Sequence, residues 1–397
     1  MVDETGPRAI RDEEYEACLA MLDRAFTFTL DGYFVHYVRG DPWFKNDYCR
    51  VYLDNGRIVS ALNICRREVR VGSVTLTMGG IGNVGTDPEY RGKGYSSQVL
   101  RDAALVMRDD GMDFSILYTG INGFYERLGW RTLPVPYLWG KLRAAESSGG
   151  PYTIRHYDVG KDAAALLRIY DQFNAGLLMS AVRTEHYWRK FCLHEYHPAW
   201  TILLAENDSQ PVAYTMTRVA ENMLVFDELG YLSGHEQGLG VLMRKAAEDA
   251  LDKSASEVRV EPATDETVTA LASEIARGFE FRHTNYGMVL FFDLNRTFSR
   301  LLPELDKRVQ ATGLAGSVTI DTEVGSIGLR SDGAGIAIVA TSDTDSRAKL
   351  TQPDLARLIF GMGPVQDVKS EVAEPARQFL STLFPPRPFV YWHADMF

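Results

Sequence analysis

Val84-Gly85-Thr86-Asp87-Pro88-Glu89-Tyr90-Arg91-Gly92-Lys93-Gly94-Tyr95-Ser96-Ser97 is the stretch on which the fold turns. It reads as the end of a buried strand, a turn, a glycine-rich loop and the first turn of a helix. Arg91, Gly94 and Ser96 fall at the spacing Arg-x-x-Gly-x-small. Glycine lets a backbone approach a ligand closely because no Cβ intervenes. The amides of a first helical turn have no intrahelical partners, and the macrodipole makes that end electropositive. Such an end attracts a phosphate or pyrophosphate. Downstream, Val99, Leu100, Ala103, Ala104, Val106 and Met107 share one face at helical spacing, and Gly111 follows as a C′ residue. The stretch is therefore part of a strand–loop–helix unit.

Three phosphate-binding patterns compete for it. A P-loop needs Gly-Lys-Ser/Thr directly before the helix, whereas Lys93 is followed by Gly94-Tyr95. A dinucleotide fingerprint needs G-x-G-x-x-G, and Gly92 and Gly94 supply only its first half. The third pattern is an acyl-CoA pyrophosphate loop. At Pro88, Arg91, Gly94 and Ser96, with residues 84–86 as the preceding strand, the chain resembles the main motif of the GNAT acyltransferases. A second segment agrees. Residues 114–117 form a short apolar strand leading into Thr119-Gly120-Ile121-Asn122-Gly123-Phe124-Tyr125-Glu126-Arg127-Leu128-Gly129-Trp130, which resembles the family's Asn…Phe-Tyr-x-x-x-Gly-aromatic signature. The resemblance implies two parallel strands that splay apart, with the pantetheine arm bonded to backbone in the gap.

Bulk properties narrow the class. A chain of 397 residues, 45% apolar and 24% charged, holds several domains and sizeable cores. A net charge of −11 argues against nucleic acid as the main partner; it favours cationic substrates or simply maintains solubility. Cys18, Cys49, Cys65 and Cys192 are not closely paired, so neither a disulfide framework nor a zinc ribbon is indicated. His194-Glu195-Tyr196-His197 lacks the spacing of a helical zinc site and reads as a solvated or capping cluster, so no metal is expected. With no signal-peptide pattern and no run of membrane-spanning length, the expectation is a cytoplasmic protein without a membrane partner.

In chain order, residues 12–26 form an amphipathic helix, and 26–44 are rich in aromatics. Asp31 and Trp43 in that segment are candidates to hold an ammonium group by charge or cation–π contact. Asp54-Asn55-Gly56 between 48–53 and 57–65 is a hairpin signal, and Gly72-Ser73 marks a second hairpin between 69–71 and 74–77. Residues 138–142 close the first unit and 144–151 read as a linker. The second unit holds a helix at 162–173 and strands at 201–205, 212–219 and 223–229. Its Gln237-Gly238-Leu239-Gly240-Val241-Leu242 echoes the phosphate loop, but Leu242 replaces the small residue. The third unit has a helix at 300–310, strands at 317–322, 326–329 and 335–340, and a helix capped by Thr351. The final residues, Phe389-Val390-Tyr391-Trp392-His393-Ala394-Asp395-Met396-Phe397, are too apolar for a frayed tail and call for a groove.

The expected architecture is α/β (α+β): tandem GNAT-like units and then a unit resembling a sterol-carrier-protein domain. That order resembles the Eis (enhanced intracellular survival) acetyltransferase family over the whole chain. The resemblance implies a GNAT domain with the acetyl-CoA site at 1–143, a degenerate second one at 152–292, and a sterol-carrier-like domain with a catalytic C-terminus at 293–397. It implies transfer from acetyl-CoA to a primary amine (aminoglycoside, polyamine or lysine-like) and a homo-oligomer, commonly a hexamer. Val84, Gly85 and Thr86 would bond pantetheine through backbone. Arg91, Gly92, Lys93, Gly94, Tyr95, Ser96 and Ser97 would wrap the pyrophosphate, and Gly120 and Ile121 would lie beside the cofactor. Tyr125 matches the family's general acid. An amine acceptor must lose a proton before attack, yet residues 80–86 contain no Glu, Asp or His. In the family the C-terminal carboxylate supplies the base, which is Phe397 here, with Asp395 a competing carboxylate. The rival expectation is a lipid- or small-ligand-binding protein using the sterol-carrier-like unit.

Overall fold

The computed structural model describes residues 6–26, 33–145, 150–158, 160–189, 200–262 and 265–397. Asp31, Cys192, the His194–His197 cluster and part of the 144–151 linker lie outside the described residues. Among those described, strands assemble into two sheets of seven and one of four.

The first sheet is ordered Arg8–Ala9, Cys49–Asp54, Arg57–Val71, Val74–Thr86, Phe114–Tyr118, Gly287–Phe291, Arg131–Thr132. Asn55 and Gly56 both have positive φ, 51° and 76°, which the two-residue turn demands. The separate short strands expected at 57–65 and 69–71 are one strand of fifteen residues. Arg66-Arg67-Glu68 hid the continuity, because Arg67 points inward: it is 1% exposed and bonds Asp41 and Tyr187. The helix Tyr95–Asp109 lays Val99, Leu100, Ala103 and Met107 on one face of this sheet. The helix Tyr15–Ala25, the helix Leu294–Thr312 and the chain's end cover the other.

The second sheet repeats the plan. A parallel pair, Met223–Tyr231 and Glu257–Val260, is crossed by the helix Glu236–Asp252. The sheets exchange strands. Val135–Leu142, which contains the residues 138–142 expected to close the first unit, pairs with Glu257–Val260 and Ala276–Thr284 in the second sheet. Gly287–Phe291 pairs with Phe114–Tyr118 in the first. Sheet boundaries therefore do not follow the expected breaks at 143 and 292. Alternation of apolar residues marks a strand but not the sheet it joins.

Residues 294–397 contribute the helix Leu294–Thr312, a four-stranded sheet and the helices Gln352–Ile359 and Ala376–Leu383. Thr351 caps as expected, its hydroxyl accepting from the Asp354 amide.

Candidate active site

Val74–Thr86 and Phe114–Tyr118 run parallel and pair only from Met78/Phe114 to Ile81/Leu117. Beyond that point they diverge. A β-bulge at Asn83, φ 54°, turns the first strand away, and the register with Arg57–Val71 jumps from Asn63↔Gly82 to Ala61↔Gly85. Asn is one of the few non-glycine residues that tolerates this backbone region. The edge of residues 84–86 facing the gap has no strand partner among the described residues.

At the wide end lies the glycine loop. Asp87 anchors it, accepting from Arg24 at 3.0 Å, Arg57 at 2.8 Å and the Glu89 amide at 3.3 Å. Burial alone would raise the Asp87 carboxyl; the Arg24 and Glu89 hydrogen bonds and the two guanidinium charges more than offset it and hold it below the usual range. Gly92 and Gly94 have φ of 79° and 80°, and a Cβ on either would meet open space. Gly94 is the N-cap of Tyr95–Asp109 and supplies no side chain to block the first turn, which carries no acidic residue. The amides of residues 92–97 have no hydrogen-bond acceptor among the described residues, and the first intrahelical bond is Gln98 N to Gly94 O. Open amides at a helix N-terminus fit a diphosphate.

A cavity of about 250 Å³ joins the loop to the gap. Of the sequence candidates it gathers Val84, Gly85, Thr86, Arg91, Gly92, Gly94, Tyr95, Ser96, Ile121 and Tyr125. Lys93 does not line it and sits over the Tyr90 ring at 4.6 Å. Ser97 also lies outside its lining, and Gly120 faces a neighbouring groove. Arg91 is a tie rather than a bare phosphate ligand: its Nη2 donates to Ala25 O at 2.7 Å. Tyr95 stacks on Tyr52 and donates to Asp54 at 2.8 Å. Tyr125, 8% exposed, lies edge-on to Phe124, and its hydroxyl has no partner among the described residues. Burial pushes its phenol up to about 12.

The C-terminus enters this site from the opposite face of the sheet to the helix Tyr95–Asp109. A Cβ on Gly80 would collide with the Phe397 ring, and one on Gly82 would lie 3.2 Å from the Phe397 carboxyl carbon. Phe397 thus fills the space that side chains at 80 and 82 would take, and its carboxylate stands at the apex of the splay. Its ring packs near Tyr118 at 5.9 Å and Tyr391 at 6.5 Å. The apolar tail is buried, as its composition requires: Phe389, Val390, Tyr391, Trp392 and Ala394 all lose their surface. Leu178 exchanges backbone hydrogen bonds with Pro388 and Val390.

Asp395, the competing carboxylate, is engaged elsewhere. It is fully buried and takes two hydrogen bonds from Arg183, at 2.9 and 2.8 Å, and one from Tyr187. Arg183 also grips Glu228 at 2.8 and 2.7 Å, and lies over the rings of Tyr170 and Trp188. Burial raises the Glu228 carboxyl, an effect Arg183 only partly offsets. This clamp and the amide of Asn63 escaped the sequence reading. The signal for Asn63 was present: the one amide in the mostly apolar stretch from Ile58 to Ile64.

Trp43 is half-buried, 4.8 Å from the Tyr187 ring, with the Arg67 guanidinium 5.4 Å from its own. The chain's own cation occupies part of the cation–π role expected for an ammonium. In the second unit, Gly238 and Gly240 lie inside the helix Glu236–Asp252 instead of in a loop, pressed against Tyr152 and Leu271. Glu236 accepts the Gly234 amide, and the Gly238 amide is taken by His235 O.

A second cavity, about 400 Å³, lies along the face that carries Phe397. Its wall includes Ile116, Tyr118, Phe360, Phe389, Tyr391 and Met396. Its two acids are paired, Asp227 with Arg218 and Glu261 with Arg259. No group of metal-ligating side chains and no helix long and apolar enough to cross a membrane occurs among the described residues.

Residues 7–133 match the model of the acetyltransferase (GNAT) domain. No curated protein matches the chain. In fold it is similar to a GCN5-related N-acetyltransferase from Anabaena variabilis ATCC 29413, with TM-score 0.74, 14% identity, 98% of this chain and 99% of that one covered. A GCN5-related N-acetyltransferase from Kribbella flavida superposes with TM-score 0.68 at 20% identity, covering 98% and 97%. Eis1 from Mycobacterium abscessus does so with TM-score 0.64 at 14% identity, covering 98% and 99%. The chain carries a GNAT domain and is an enzyme of the acetyltransferase class. Over 98% of the chain, the mixed α/β architecture is shared with these proteins.

Proposed function

We propose that the protein transfers acetyl from acetyl-CoA to a primary amine, with Phe397 as general base and Tyr125 as general acid. Bound acetyl-CoA supplies the thioester as acyl donor. The open amides of residues 92–97 would hold its diphosphate, and the unpaired edge of Val84, Gly85 and Thr86 would bond its pantetheine. The Phe397 carboxylate would take a proton from the acceptor ammonium. As the amine nitrogen bonds to the acetyl carbon, the carbon–sulfur bond breaks, the Tyr125 phenol gives its proton to the departing thiolate, and the second proton lost by the acylated nitrogen restores the phenol. The observation carrying this reading is the Phe397 carboxyl carbon against Gly82, at the apex of the splay, on a strand that has no acid of its own.

The same reading assigns 1–143 to the acetyl-CoA site, 152–292 to a GNAT-like unit that no longer binds the cofactor, and 293–397 to a sterol-carrier-like unit that ends in the base. The second unit's occupied amides and helical glycines support the loss. A homo-oligomer, hexameric by the Eis resemblance, completes it. The test is to add residues after Phe397 and follow free-thiol release with an aminoglycoside and a polyamine. Turnover should fall by about 10²–10⁴, the range for losing a general base. An extended protein with normal turnover removes Phe397 from the mechanism.

The 400 Å³ cavity favours a second reading, a small-ligand-binding protein. Native mass spectrometry separates the two: co-purified lipid supports the binding protein, co-purified CoA the enzyme.

A further inference from the structure

Asn63 is 1% exposed, and both its Nδ2 and its Oδ1 are buried without a hydrogen-bond partner among the described residues. A buried amide left unsatisfied is costly, and a ligand that bonds both of its polar atoms removes that cost. Its location is defined by register. Asn63 lies directly across from Gly82. Directly opposed residues in an antiparallel pair share a face, with Cβ positions about 4.5–5.5 Å apart. Gly82 is the residue whose Cβ direction meets the Phe397 carboxyl carbon. It is also the first residue past Ile81/Leu117, where the two parallel strands part. The neighbours agree on the face: Ile64 and Leu62 pack toward the helix Tyr95–Asp109, while Arg67 faces Asp41 and Tyr187.

We propose that Asn63 is a catalytic residue of the acyl transfer, its Nδ2–H donating to the thioester carbonyl oxygen and its Oδ1 accepting an N–H of the incoming amine. The inference rests on the acetyl-CoA reading above. It adds a group from the neighbouring strand that holds the two reacting partners from one side. As the amine nitrogen adds to the acetyl carbon, negative charge builds on the carbonyl oxygen that Nδ2 faces, and a preorganised donor is most effective there. Oδ1 has no proton to give, so it orients the amine while the proton leaves to Phe397. No bond to Asn63 forms or breaks.

Asn63→Leu tests this, because it keeps the volume and removes both polar atoms. With kanamycin and spermidine as acceptors, kcat/KM should drop about 10–10³-fold, in the range for a lost oxyanion donor. The KM for acetyl-CoA should stay within about twofold, since its seats on the loop and the open strand edge are untouched. Tm should hold or rise, because an unsatisfied amide has been replaced by apolar atoms. A fall in Tm, or unchanged kcat/KM, overturns the proposal. A second readout needs no acceptor. With asparagine-selective ¹⁵N labelling, the side-chain resonance missing from the Asn63→Leu spectrum belongs to Asn63. It should shift on adding acetyl-CoA and stay in place with CoA, which lacks the carbonyl. Equal shifts, or none with acetyl-CoA bound, overturn it. If calorimetry finds no acetyl-CoA binding to the unaltered protein, the underlying reading fails instead.

Discussion

The phenol of Tyr125 is shifted in one direction by burial alone, with no nearby charge acting on it. Its acid form therefore persists to about 12, well above the pH at which a thiolate needs a proton. Tyr125→Phe should lower kcat by about 10²–10⁴ while leaving the acetyl-CoA KM nearly unchanged. The wild-type pH–rate profile should show no alkaline limb belonging to Tyr125 until about one unit below that value. A limb near neutrality that disappears in Tyr125→Phe would contradict the assignment. Tyr125's place in the cavity was legible in the sequence because the stretch that carries it is contiguous. Arg67 and Arg183 were not. A charge among apolar residues reads as surface, and the carboxylates paired with these two lie 26 residues from Arg67 and 45 and 212 residues from Arg183.

At the scale of elements, the site depends on one strand bending away from another. Arg91, Gly94 and Ser96 disclosed the loop and the helix after it, since glycine conformations and open amides are local properties. The bulge at Asn83 was not disclosed, because nothing in Gly82-Asn83-Val84 states which neighbour stops pairing. The two halves of the molecule illustrate the difference. Gly92 and Gly94 adopt positive φ ahead of their helix, whereas Gly238 and Gly240 sit within theirs as close-packing residues. Similar glycine spacing serves opposite ends. Asn83→Gly should retain acetyl-CoA affinity, because glycine adopts φ 54° freely. Asn83→Val puts a β-branched residue there at a cost of about 1–3 kcal/mol. It should straighten the strand, close the gap and weaken acetyl-CoA binding about tenfold or more by calorimetry. Equal affinities for the two variants would show that the bulge does not shape the site.

Across the whole molecule, the tail links the first two sheets to one point. Pro388 and Val390 are held by Leu178, Trp392 donates to Asn174, and Asp395 is clamped to the second sheet through Arg183 and Glu228. The second sheet thus has a structural task, seating the tail that ends against Gly82. Arg183→Met leaves two buried carboxylates without their cation and should cost about 3–5 kcal/mol of stability. Asp395→Asn keeps Arg183 paired with Glu228. Its Tm should fall less than that of Arg183→Met while kcat drops at least tenfold with acetyl-CoA affinity unchanged; normal kcat in a folded Asp395→Asn protein would separate the clamp from catalysis. Single elements such as the helix Tyr95–Asp109 and the strand Gln210–Ala220 were readable from periodicity, whereas the strands Glu257–Val260, Ala276–Thr284 and Gly287–Phe291 were not. The exchange of Val135–Leu142 and Gly287–Phe291 between sheets was not, because pairing is decided by contacts distant in sequence.

The open amides ahead of Tyr95–Asp109 are the proposed seat of the CoA diphosphate, and Ser96→Asp probes them. A carboxylate in a first turn that has no acidic residue interacts favourably with the helix dipole, by about 0.3–1 kcal/mol, so Tm should hold or rise. The same negative charge opposes the diphosphate, so calorimetric titration with acetyl-CoA should show affinity at least tenfold weaker. Undiminished acetyl-CoA affinity in Ser96→Asp would contradict the account.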